Sequence, residues 1–124
     1  MKLTLDQAAP NAHIIRAYEP GRIMVGLNTF TKSFIVTPDA LIDDWEPQTI
    51  DAMQAEHLTV FHAMQPEILL LGTGASQTFP EPRLLADLMN RRIPVEVMDT
   101  AAACRTYNIL FSEDRAVAAA LMMM

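Results

Sequence analysis

Ile68-Leu69-Leu70-Leu71-Gly72-Thr73-Gly74-Ala75-Ser76-Gln77 is the stretch whose reading decides the fold. Four apolar residues without polar alternation are the pattern of a strand covered on both faces, and two glycines around one threonine mark a sharp turn at its end. Pro66 stops any helix before this run, which is expected at the centre of a sheet.

Working outward, Leu84, Leu85, Leu88 and Met89 form one apolar stripe, with Arg83, Asp87, Asn90 and Arg91 on the other side. With Pro82 in the first turn, this predicts an amphipathic helix over 82–92. Val95-Glu96-Val97-Met98 follows Pro94 as a short strand, and Asp99-Thr100 supplies a side-chain cap for a second helix running to about Phe111. Residues 112–115 turn the chain into 116–121, a small-apolar run with the character of a buried strand; a hairpin over 107–121 is the alternative reading. Strand, helix, strand, helix, strand over 67–121 makes this an α/β chain whose first two strands run parallel through a crossover.

Upstream, residues 13–37 read as a strand, a turn at Glu19-Pro20-Gly21, and two more strands separated by a break at Asn28-Thr29. These strands are expected to extend the sheet or to pack on it. Residues 38–47 read as a connection pinned by Trp45, and apolar spacings of three and five over 49–64 predict one or two short helical pieces.

The bulk numbers narrow the class. At 124 residues the chain is the size of one domain, 1–124; 51% apolar and 19% charged residues place it among packed globules rather than disordered chains. A net charge of -6, with Arg91-Arg92 as the one adjacent basic pair, speaks against nucleic-acid binding. A single cysteine, Cys104, leaves no internal disulfide and no multi-cysteine zinc site. No apolar run approaches the roughly 20 residues that span a bilayer, so no membrane insertion is expected, and the first ten residues show no targeting pattern. A soluble, cytoplasmic protein without a cofactor is the expectation.

The glycine turn is not a dinucleotide fingerprint, because Gln77 stands where the third glycine belongs and residues 78–82 intervene before the helix. It has neither the lysine of a P-loop nor the serine of a nucleophile elbow. Two readings remain. Gly72 and Gly74 serve the turn and its packing, or Gly72-Thr73-Gly74 and Asp99-Thr100, following parallel strands, open a shared crevice for a small anionic ligand. Cys104 and Arg105 belong to the same end of the second helix. The helix dipole and Arg105 would lower a thiol pKa there, whereas a cysteine among alanines is also an ordinary buried residue. Arg105 near a helix N-terminus calls for compensation, by a carboxylate such as Asp99 or by a bound anion. His57 and His62 are five residues apart and do not form a metal pair on a helix, His13 is expected in a strand elsewhere, and Asp43-Asp44 read as solvated charge.

Pro66-Glu67-Ile68-Leu69-Leu70-Leu71-Gly72-Thr73-Gly74, then Val95 through Leu110 with Asp99-Thr100 and Tyr107, then Arg115-Ala116-Val117-Ala118-Ala119-Ala120, together resemble a widespread family of uncharacterised small α/β proteins. That family includes mitochondrial respiratory complex I assembly factor 3 and an adipogenesis-associated cytosolic protein. The resemblance implies a single three-layer α/β domain with a mixed sheet. For some relatives it implies a role in assembling a membrane enzyme; it carries over no catalytic residue. The chain looks like a bacterial or cytosolic member. Two functions follow as expectations: a non-enzymatic interaction or assembly module, with respiratory-complex subunits or other assembly proteins as partners, or a binder or enzyme of a small anionic metabolite at Gly72–Gly74 and Thr100–Arg105. An exposed sheet edge and the apolar tail from Leu121 to Met124 would support weak self-association.

Overall fold

In the computed structural model, which describes residues 2–5 as backbone and residues 13–124 in full, short apolar runs between turn residues become strands and helices in a definite order. The strands are β1 (Lys2–Leu5), β2 (Ile15–Glu19), β3 (Arg22–Val25), β4 (Asn28–Phe30), β5 (Phe34–Val36), β6 (Ala40–Asp43), β7 (Ile68–Gly72), β8 (Val95–Met98) and β9 (Val117–Leu121). The helices are α1 (Val60–Met64), α2 (Pro82–Asn90) and α3 (Thr100–Ser112). Most of the first ten residues, read above for targeting, lie outside the described part.

Six strands form a mixed sheet in the order β1-β6-β5-β9-β7-β8, and β2, β3 and β4 form a separate antiparallel sheet. β7 pairs in parallel with β8 on one side and with β9 on the other, while β9 meets β5 antiparallel. The α/β expectation is met, and the N-terminal strands do both of the things foreseen for them. The hairpin reading of 107–121 is overturned, because Tyr107 lies inside α3 and β9 runs parallel to β7. β7 is interior but next to the edge strand; the middle of the sheet falls between β5 and β9.

Both faces of the sheet are covered, which explains its composition. Ile35, Leu69, Leu71, Ala118 and Ala120 point into a core shared with Trp45, Met53, Phe61, Leu84 and Leu88. Phe34, Val36, Leu70, Ala119 and Leu121 point the other way, against Ala103, Cys104 and Tyr107 of α3 and Ile15, Ile23 and Val25 of the small sheet. Strand order reverses at β7, and under the handedness rule for parallel crossovers the two connecting helices then lie on opposite faces. α2 and α3 do so. The consecutive alanines of β9 fit because neighbours press on the strand from both sides.

Several local expectations change. The turn expected at Asn28-Thr29 lies at Gly26-Leu27, where Gly26 takes φ +57 and Asn28 already pairs with Val25. Two-residue hairpin loops favour positive φ, which glycine supplies without steric penalty. Residues 40–43, expected within a connection, form β6, because the Thr37 hydroxyl accepts hydrogen bonds from the Asp39 and Ala40 amides and turns the chain back from β5. His13 precedes β2 rather than lying in a strand, with its Nδ1 2.8 Å from the Thr37 carbonyl. Met89 is 66% exposed, one residue past the core contact made by Leu88. Leu121 and Met122 are fully buried, so the tail's apolar character is largely spent in the core.

Trp45 is 1% exposed and anchors its connection as expected: its Nε1 donates to the His57 carbonyl at 3.0 Å. Two single turns, Ile50–Ala52 and Ala55–Leu58, precede α1. The edge strand β8 is short, carries the exposed Glu96, and has its Val97 carbonyl capped by the Gln77 side chain at 3.0 Å. These are devices that discourage strand addition.

Candidate functional site

The loops after β7 and β8 emerge side by side, and one side chain joins them. Thr100, at the first position of α3 and fully buried, accepts a hydrogen bond from the Gly74 amide at 2.8 Å and donates its hydroxyl proton to the Met122 carbonyl at 2.7 Å. Its own amide donates to the Gly74 carbonyl at 2.9 Å, the Met122 amide donates to the Gly72 carbonyl at 3.0 Å, and the Thr73 amide donates to the Met98 carbonyl at 3.0 Å. The ends of β7, β8 and β9 are thereby held together at the point where strand order reverses. In open α/β sheets that point is where a crevice usually forms.

Beside Gly72 the space is taken up by the protein itself. A Cβ on Gly72 would come within 3.0 Å of both Leu121 Cδ2 and Thr100 Oγ1 and within 3.2 Å of Ala103 Cβ, so glycine is needed for close approach. Gly74 adopts φ +101, a backbone conformation that side chains rarely accept. The loop beyond it is shaped by Thr73, whose hydroxyl donates to the Ser76 carbonyl at 2.6 Å and accepts from the Thr78 amide at 3.0 Å. Asp99 is the N-cap of α3, its Oδ1 accepting from the Ala102 amide at 2.8 Å. The amides of Thr73, Gly74, Thr100 and Ala102, on which an anion would have drawn, already have partners within the chain.

Cys104 and Arg105 point apart. Cys104 is 0% exposed, and burial pushes its thiol up to about 12, against a smaller opposing pull from the charge of Arg105. Of the two readings of Cys104, the ordinary buried residue is the one realised: desolvation outweighs the pull of the neighbouring cation. Arg105 is exposed and finds its compensation in the protein. Its guanidinium donates to the Tyr18 hydroxyl at 3.3 Å, and its pKa is held up chiefly by that contact and further by the Asp99 carboxylate.

Two contacts were absent from the sequence reading. Tyr107 donates its hydroxyl to the His13 carbonyl at 2.9 Å, and Asn108 brackets Ile15 with hydrogen bonds to its amide and carbonyl at 3.0 and 2.8 Å. Together they fasten the small sheet to α3. The signal was a polar residue on an otherwise apolar helix face, but its partner lies more than ninety residues away. His62 Nε2 lies 2.7 Å from Asp87 Oδ2, and His57 Nδ1 accepts from the Gln54 amide at 2.8 Å. Among the described residues no group of three or more His, Cys, Asp and Glu is placed to hold a metal, and no helix is long and apolar enough to cross a membrane.

The chain belongs to the family described as protein of unknown function (DUF498/DUF598), whose model matches residues 15–122. It is 35% identical over 95% of its length to the Danio rerio protein named NADH dehydrogenase (ubiquinone) 1 alpha subcomplex assembly factor 3, and spans 68% of that relative. It is 26% identical over 93% of its length to a Francisella tularensis protein named 13 kDa major membrane protein, 95% of which is covered. A crystal structure of a Bordetella parapertussis protein superposes with a TM-score of 0.85 at 34% identity, covering 96% of this chain and 100% of that one.

Thr100→Val keeps the shape but leaves the Gly74 amide and the Met122 carbonyl without their partner. Urea unfolding is expected to show a loss of about 2–4 kcal/mol, with Thr100→Ser retaining at least half of the stability that Thr100→Val forfeits. A second expectation concerns Cys104. Its folded pKa lies above the unfolded one, so its contribution to stability is complete below the usual 9.0 and is lost as pH rises toward about 12, at up to ~1.4 kcal/mol per pH unit. Replacing Cys104 by Ala should flatten that part of the stability profile, and iodoacetamide at pH 8 should modify the thiol only in denaturant.

Proposed function

We propose that this member of the DUF498/DUF598 family is a non-enzymatic interaction module, one domain over residues 1–124, that assists assembly of a respiratory NADH dehydrogenase from the cytoplasmic side. The observation that carries the reading is the similarity over 95% of the chain to a relative named as an assembly factor for that enzyme. The chain spans about two thirds of that relative.

The site geometry favours this reading over a metabolite-binding or catalytic one. A ligand at the end of β7 would need amide donors and space, and beside Gly72 Thr100, Leu121 and Ala103 occupy the space, while chain carbonyls and side chains engage the amides of Thr73, Gly74, Thr100 and Ala102. A nucleophile at Cys104 would need an exposed thiolate, and this thiol is buried. Groups on the outside are of another kind: Leu27 at a hairpin tip is 98% exposed, and Phe79 and Ile109 are mostly exposed as well. Such side chains serve as contact points for a partner more readily than as reactants.

Affinity purification of the tagged chain from its native cells, after mild crosslinking, is expected to enrich NADH dehydrogenase subunits over a tag-only control. Deletion of its gene should lower the amount of assembled complex on native gels, with restoration by the parent chain. No enrichment together with an unchanged level of complex would overturn the proposal.

A further inference from the structure

We infer that the cleft at the opposite end of β7 and β9 from the Thr100 junction receives a basic segment of a partner protein, an arginine or lysine with apolar neighbours. The inference rests on the assembly reading above and names the chemistry of the partner. The cleft has a volume of about 750 Å³ and lies where Pro66 leads into β7 and Ala116 into β9. That size falls within the range of binding pockets, roughly 300–1,000 Å³.

Its walls include the half-buried side chains of Pro38, Met64 and Phe111, a surface suited to the aliphatic stem of a long cationic side chain. Its rim carries Asp39 and Asp114, both exposed and neither in an ion pair among the described residues. The one lining cation among the described residues, Arg115, is already neutralised: its Nε donates to Glu67 Oε2 at 2.7 Å, and this bond with that of the Ala116 amide holds the Glu67 carboxyl below its usual range.

A second feature adds to the negative field. α3 ends at this cleft, with Ser112 its last residue and Glu113 its C-cap, followed by Asp114, and no basic residue stands in the last turn. A helix C-terminus carries partial negative charge and is stabilised by cations, so acidic residues there oppose the helix's own preference. A cationic head from outside would satisfy Asp39, Asp114 and the helix end at once. Apolar neighbours in the partner segment would cover Met64 and Phe111.

Heteronuclear NMR of the isotope-labelled full chain tests this with three probes: an amidated hexapeptide of alternating leucine and arginine, its leucine-glutamate counterpart, and spermidine. The leucine-arginine peptide should shift the amides of Asp39, Phe111 and Asp114. Its affinity should fall about tenfold in Asp39→Asn/Asp114→Asn but by less than about twofold in Asp51→Asn/Glu56→Asn, which removes the same charge elsewhere. Matching melting temperatures would show that both variants stay folded. Equal losses in the two variants, spermidine binding as tight as the peptide, equal binding of the leucine-glutamate peptide, or no localised shifts would overturn the inference. The pull-down reads out separately: respiratory subunits captured by the parent chain alongside such a negative peptide result would remove the cleft and leave the assembly reading standing.

Discussion

A single buried hydroxyl at the point where strand order reverses holds the carboxyl end of this sheet together. Two parallel strands that flank a third and connect through helices on opposite faces must diverge in their connections, and the divergence leaves polar backbone groups facing a gap. Thr100 closes that gap by accepting from one loop and donating to the extension of the last strand. Gly72 is required because the closure brings Leu121, Ala103 and Thr100 up against the place a Cβ would take, and Gly74 because the chain must turn with positive φ to offer its amide. Gly72-Thr73-Gly74 is thereby tied to the start of α3 and to the extension of β9 by hydrogen bonds.

Much of the architecture was legible from periodicity and punctuation. The unbroken Leu69–Leu71 run, the Leu84 and Leu88 stripe behind Pro82, and the Asp99 cap each report a local physical preference that the tertiary structure preserves. What escaped was non-local or weakly patterned. β6 is four residues bounded by acidic ones, too short to show a pattern, and it is pairing with β1 on one side and β5 on the other that marks it as a strand. The turn at Gly26 was missed because Asn28 is as good a turn former in isolation, and only its pairing with Val25 decides between them.

The candidate site shows the same division. Sequence placed Gly72–Gly74 and Asp99–Thr100 on one edge, which the parallel pairing of β7 and β8 explains. It had no means of showing that Met122 would arrive between them, since that depends on β9 inserting on the far side of β7. For Cys104 both readings were open from the sequence, and the packing of α3 on the sheet decides between them: desolvation outweighs the charge of the adjacent Arg105.

Native-state hydrogen exchange at the Gly74 amide tests the central claim most directly. If Thr100 seals the junction, this amide exchanges only through global unfolding, with the same free energy and urea dependence as the slowest amides of β7 and β9. Exchange as fast as that of the exposed neighbours at 75–78 would mean that the hydroxyl does not hold the loop and that the junction opens independently of the core.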